Sequence, residues 1–233
     1  MKAPITLFAL AIALAPAAQS AVLLTAGLVA PAVGVDDQAS LNDLAAIPGG
    51  TFNSQAFSDN AGPPGQSFTT GSAANYTLTA FSYKGAATGS GNYGGFTGAT
   101  WGIRVSSVAG VDLTPIATIT GIAHPTGTIN GNEWFTWSFS GTDLLVLNGS
   151  TTYSFEAYST VGYLGFDASD TTTAYAGGTA FNTTSPARTF NTTILQDRLY
   201  DRTFIANLAV VPEPSALVLV AGLGLLHCGR RRR

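Results

Sequence analysis

Glu133 and Glu156 are the only glutamates between residues 21 and 210. Cleaving a glycosidic bond takes two carboxyl groups facing each other across the sugar. Both glutamates fall on segments patterned as strands, so such a pairing is open, although neither stands in a recognisable glycosidase motif. His124 is the only histidine in the same region and is followed by Pro125. A serine hydrolase would have to be built around it, and no Gly-x-Ser-x-Gly elbow accompanies it. Asp167 and Asp170, in Phe166-Asp167-Ala168-Ser169-Asp170-Thr171, can offer oxygens to a Ca2+ ion together with backbone carbonyls. A plain Asp/Ser turn uses the same residues. Gly89-Ser90-Gly91-Asn92-Tyr93-Gly94 has the spacing of a dinucleotide fingerprint. That motif works only between a strand and a helix whose N-terminus meets the pyrophosphate. Gly and Thr continue past Gly94, which reads as a loop.

The strand-like run Glu133-Trp134-Phe135-Thr136-Trp137-Ser138-Phe139 raises a binding possibility. Period two puts Phe135, Trp137 and Phe139 on a core face and Trp134 on the other. In Thr151 to Ser159, Tyr153, Phe155 and Ala157 share a face and leave Glu156 and Tyr158 opposite. If the two strands are neighbours, Trp134 and Tyr158 form an aromatic platform beside Glu156, suited to stacking on a sugar. The alternative is that a loop or a second sheet covers Trp134.

The elements that must position these groups are strands. Gly is frequent at 27 residues, charge is sparse at 10%, and β-branched and aromatic residues supply a core. That composition suits a pleated, turn-rich chain. Strands are expected at Gln66 to Thr70, Asn75 to Lys84, Trp101 to Val108, Thr114 to Thr120, Glu133 to Phe139 and Leu144 to Leu147. Thr151 to Ser159, Tyr163 to Phe166, Thr189 to Ile194 and Arg202 to Val210 complete the set. Their short, even spacing predicts an all-β fold, a single β-sandwich of jelly-roll type over residues 35–210. One short helix is expected, Asp36 to Ile47, ending at Pro48-Gly49-Gly50. Residues 21–34 read as a linker.

Between Ala21 and Pro214 there are five basic and 13 acidic residues, a balance of 5 − 13 = −8. Such a domain repels phosphate backbones, which argues against nucleic acid as a partner. The only cysteine is Cys228, so residues 21–210 hold no disulfide, thiolate nucleophile or Cys-ligated metal.

The two ends carry the most specific patterns. Residues 1–20 read as a signal peptide: Lys2, then an apolar or small run from Ile5 to Ala15 broken only by Thr6, then Ala18-Gln19-Ser20 with small residues where signal peptidase reads. The run falls short of the ~17 residues a membrane span needs. Residues 211–233 begin with Val211-Pro212-Glu213-Pro214-Ser215, continue as the apolar stretch Ala216 to Leu226, and end in Arg230, Arg231, Arg232 and Arg233. The prolines forbid helix and present Glu213 on extended backbone. The apolar stretch partitions into lipid as a hydrophobic helix, and the arginines hold the C-terminus on the cytoplasmic side.

This tail resembles the PEP-CTERM sorting signal. The resemblance implies recognition of Pro212-Glu213-Pro214 by exosortase, a membrane-embedded cysteine protease. It further implies transient anchoring in the inner membrane and delivery to the surface or extracellular matrix of an exopolysaccharide-making Gram-negative bacterium. One departure is the length from Ser215 to Cys228, 14 residues, or about 21 Å of helix against a ~30 Å hydrocarbon core. The middle region resembles the choice-of-anchor domains, especially their R type. The residues concerned are Gln66-Ser67-Phe68-Thr69-Thr70-Gly71, Tyr76-Thr77-Leu78, Asn148-Gly149-Ser150-Thr151-Thr152-Tyr153, Tyr175-Ala176-Gly177-Gly178 and Asp201-Arg202-Thr203-Phe204. Those domains are surface β-sandwiches without established catalytic residues.

The expectation is therefore a non-enzymatic, exported, structural or adhesive envelope component. Its partners are signal peptidase, an exosortase-type protease and, through a surface role, exopolysaccharide; its only cofactor candidate is Ca2+. The rival reading is a carbohydrate-binding module, and behind it a glycoside-active enzyme.

Overall fold

The computed structural model describes residues 22–41, 55–57, 63–85, 93–126, 132–167, 175–182, 188–194, 196–197 and 201–212. Residues 1–20, read above as a signal peptide, Glu213, Pro214, the apolar stretch, the four terminal arginines and Asp170 lie outside them. The described chain is all-β, with every strand pairing antiparallel. In chain order the strands are β1 (Leu23–Gly27), β2 (Gln38–Ser40), β3 (Gln55–Phe57), β4 (Gly65–Thr69), β5 (Asn75–Lys84), β6 (Tyr93–Gly94), β7 (Thr100–Ala109) and β8 (Asp112–Ala123). They continue with β9 (Trp134–Ser138), β10 (Leu145–Asn148), β11 (Thr152–Ser159), β12 (Tyr163–Phe166), β13 (Ala180–Asn182), β14 (Gln196–Asp197) and β15 (Phe204–Val210).

Two six-stranded sheets carry the structure. The first runs β1-β9-β5-β15-β2, with β10 also against β5; the second runs β14-β13-β4-β11-β7-β8. A small sheet, β3-β12-β6, adjoins the first through a bridge from Phe166 to Gly85 at the end of β5. The inner faces of the large sheets meet in one aromatic core. Phe81 of β5 stacks on Phe155 of β11 with ring centroids 4.1 Å apart, and Trp137 of β9 meets Trp101 of β7 edge-on at 5.6 Å. Phe166, at the end of β12, stacks on Tyr83 at 4.6 Å. Each such ring pair adds about 0.5–1.5 kcal/mol beyond the area it buries.

The ten-residue strand β5 shows how the alternation is kept useful. In β5, Tyr76 and Leu78 face the core, and so do Phe81 and Tyr83. Strict period two would send the second pair outward. The register against β15 slips between Leu78↔Leu208 and Ala80↔Asn207, leaving Thr79 as an extra residue. This bulge flips the phase. It also marks the point where the neighbour of β5 changes from β10, opposite residues 75–78, to β9, opposite residues 80–84.

Three sequence expectations need correction. Residues 21–34 are not simply a linker, because Leu23–Gly27 pairs with β9 in the first sheet, and Val22 and Leu24 are buried in the core. A helix does not begin at Asp36: Gln38–Ser40 is β2, held against β15. Segment 189–194 is not a strand either. Only Thr193 makes a bridge, to Asp112, and the segment lies over the second sheet. No helix among the described residues is long and apolar enough to cross a membrane.

Candidate functional site

The side of the second sheet facing away from the first carries the densest group of candidate residues. Alternation along β11 buries Tyr153, Phe155 and Ala157 in the core and turns Ser154, Glu156 and Tyr158 to the opposite face. On β7 the partners in register are Ser106, Arg104 and Gly102. Arg104 therefore sits directly opposite Glu156 and donates to its Oε2 through Nε at 2.9 Å and through Nη2. Segment 188–194 closes over the pair. The Asn191 backbone N–H and side-chain amide both donate to Glu156 Oε1, and the Asn191 carbonyl accepts from Arg104. Phe190 lies over the guanidinium, 5.1 Å from ring centroid to Cζ. Arg188 Nε ties the segment to the Ser159 carbonyl at 2.9 Å, and Leu113 N–H ties it to Thr192 at 2.9 Å.

Glu156 is fully buried as a result. Burial raises its pKa, while the charge and hydrogen bonds of Arg104 and the hydrogen bonds of Asn191 pull it back down. Of the four contacts its carboxylate accepts, the two from Asn191 hold the covering segment to the sheet and the two from Arg104 lie within the sheet. Tyr158 is half-buried, with its ring against the face of Gly102, where a Cβ would lie 2.7 Å from the ring, and edge-on to Phe190 at 4.9 Å. Glycine at 102 is thus what lets the tyrosine lie flat there.

Trp134 belongs to the other sheet. It sits on β9 opposite Lys84 and is 7% exposed. β9 and β11 are not neighbours, so Trp134, Tyr158 and Glu156 form no shared platform. Period two assigned each residue to the right side of its strand, but it carries no information on which sheet a strand joins. Glu133, just before β9, is likewise separated from Glu156 by the second sheet itself, and the two carboxyl groups do not face each other across a sugar site. Asp167 is buried beside Lys84, with Nζ 3.5 Å from Oδ2. Among the described residues no group of three or more His, Cys, Asp or Glu side chains is placed to hold a metal ion. Tyr93 and Gly94 form β6, and β7 rather than a helix follows, so the glycine-rich run lacks the helix N-terminus a dinucleotide needs.

His124 has a structural partner. Its Nδ1 accepts from Trp101 Nε1–H at 2.9 Å, and Phe96 stacks on it at 4.7 Å. The acceptor role places the proton of the neutral ring on Nε2. Burial lowers its pKa. The imidazole borders a cleft of about 380 Å3 between β1 and the end of β8, lined chiefly by Val22, Leu24, Ala26 and Pro125.

Three of the stretches singled out in the sequence, 66–71, 175–178 and 201–204, meet in a buried polar network. Gln66 Nε2 donates to Asp201 Oδ1 at 2.9 Å, Gln66 Oε1 accepts from the Arg202 N–H at 2.7 Å, and Asp201 Oδ2 accepts from the Tyr175 N–H at 2.6 Å. Gly178 lies so close to β4 that a Cβ would sit 2.0 Å from the Ser67 carbonyl oxygen. These residues join β4, the 175–179 turn and the entry to β15, which is a structural role. Sequence reasoning missed Arg104, Asn191 and Lys84. The available signal was rarity: Lys84 and Arg104 are two of only five basic residues between Ala21 and Pro214, and each sits on a strand whose neighbours are apolar. No family model, curated protein or solved structure matches this chain.

Proposed function

We propose that this chain is an exported structural or adhesive component of a bacterial surface or extracellular matrix. Signal peptidase releases it at its N-terminus, and an exosortase-type protease sorts it through the tail. In this reading the two large sheets are the halves of one jelly-roll-like β-sandwich, and the domain is a passive, stable module rather than an enzyme. The observation that carries the proposal is the ordered sequence of Pro212-Glu213-Pro214, an apolar stretch and four arginines in a chain whose other end has the pattern of a secretion signal. Three elements in the right order coincide by chance far less often than a lone tripeptide.

The exit of the chain from the domain supports it. β15 ends at Val210, Val211 N–H still bonds to the Asn75 carbonyl at 3.0 Å, and Pro212 is exposed. The motif therefore begins where the sheet stops, within reach of a protease. The carbohydrate-binding reading is left without the paired rings that motivated it. The glycosidase reading is left without a facing pair of carboxylates, and Glu156 is engaged by Arg104 and Asn191.

Deleting residues 212–233 tests the proposal. The full chain is expected in the surface or matrix fraction, and the truncated chain in a different compartment or in the medium. An unchanged distribution would remove the tail from the account and the sorting function with it.

A further inference from the structure

Lys84 is the only lysine in the chain apart from Lys2. Lysines ordinarily stay in water and are almost never buried without a partner. This one has a side chain only 19% exposed, and its Nζ lies 3.5 Å from Oδ2 of Asp167, whose side chain is 1% exposed. The main chain holds the two residues in place through a closed set of bonds. Asp167 N–H donates to the Lys84 carbonyl at 2.9 Å, Thr203 N–H to the Asp167 carbonyl at 2.9 Å, and Lys84 N–H to the Thr203 carbonyl at 3.0 Å. Trp134, nearly buried, stands directly opposite Lys84 in the register of β5 and β9. Lys84 ends β5 of the first sheet, and Asp167 directly follows β12 of the small sheet. With Cys228 the only cysteine, the described residues have no disulfide to join these sheets.

We propose that Lys84 and Asp167 are the site of an intramolecular amide cross-link. A proton passes from the Lys84 ammonium to the Asp167 carboxylate, and the resulting amine attacks Cγ of the carboxyl group. A bond forms between Nζ and Cγ, and the bond from Cγ to one carboxyl oxygen breaks. That oxygen leaves as water, taking the carboxyl proton and one amine proton, and the amide keeps the other. No atom changes oxidation state, and no co-reactant is needed. The 3.5 Å separation of Nζ and Oδ2 places the two groups for that proton transfer and for the attack that follows. A main chain that already holds nucleophile and electrophile side by side supplies the proximity such a condensation needs. The link would tie β5 to β12 across a long stretch of chain and constrain the unfolded state as a disulfide does.

Peptide mass spectrometry of the full chain, with β structure verified by circular dichroism before denaturation and trypsin digestion, decides the matter. The expected result is that trypsin fails to cut after Lys84 and that a branched species joins the Lys84 and Asp167 peptides, lighter than their sum by one water. Lys84→Arg keeps the ion pair but has no nucleophilic amine, so the branched species should vanish and cleavage after residue 84 should return. Linear peptides alone from the folded wild-type chain, each at full mass, would overturn the proposal and leave an ordinary ion pair. The decision rests on the wild-type protein, so it stands whether or not a variant folds. It is also independent of where the protein is sorted.

Discussion

Between the two large sheets, Phe155 lies flat against Phe81, 4.1 Å away, in a core built from rings. One residue further along the same strand, on the opposite face, Glu156 is equally buried but held by a guanidinium, a backbone amide and a side-chain amide. Both faces of β11 exclude water, and they do so on opposite terms. The aromatic face gains from nearly every contact, because almost all the surface it takes out of water is apolar. The charged face loses the hydration of two ions, and their attraction offsets that loss only while every contact is made. The first face is a foundation; the second is a fastening, which works only with segment 188–194 in place. The difference locates where the domain is tolerant of change and where it is conditional.

The largest effect should come from opening the aromatic face. Trp137→Ala removes a fully buried ring that contacts Trp101, Tyr83 and Phe155. Chemical denaturation should show a loss of about 4–5 kcal/mol; a loss below about 1 kcal/mol would mean the sheets do not depend on that core.

Breaking the fastening from one side comes next. Glu156→Ala leaves the Arg104 guanidinium buried without its carboxylate and should cost about 3 kcal/mol. Replacing both partners, as Arg104→Met with Glu156→Leu, should restore most of that stability, because two apolar groups of similar size leave no charge behind. If the double variant is as unstable as the sum of two single ones, the pair is not the coupled unit described.

The smallest effect is a slope. Burial holds the pKa of Glu156 above its ordinary range. As pH rises through that range, the unfolded chain loses this proton first while the folded chain keeps it. The folded state then binds more protons, so this group's contribution to stability falls with rising pH until the raised folded pKa is passed. Thermal melts across mildly acidic pH should show the wild type losing stability relative to Glu156→Gln. Parallel curves, or a wild type that gains, would contradict the burial-dominated environment.

Much of the fold was legible because it is local. The strand-like composition of 75–84 and 163–166 gave β5 and β12 to the residue, and the facing of Phe135, Trp137, Tyr153 and Phe155 followed from period two alone. What was not legible depends on distant partners. Leu23–Gly27 is a strand because β9 offers it an edge, and nothing in Leu-Leu-Thr-Ala-Gly announces that. Gln38–Ser40 extends because β15 is beside it, although its flanking residues have the spacing of a helix start. The cover over Glu156 is supplied by Asn191, 35 positions away, so a carboxylate that looked available for chemistry proves to be a tether. The platform of Trp134 and Tyr158 failed for the same reason, since a pattern within a strand does not name its neighbours.

The central claim is that this domain is displayed outside the cell while its tail directs it there. Treating intact cells with an added protease, and following the domain with an antibody, tests this most directly. The account predicts a chain that is attacked on unbroken cells and that lacks residues 1–20. A chain protected until the cells are lysed, with residues 1–20 still attached, would contradict it.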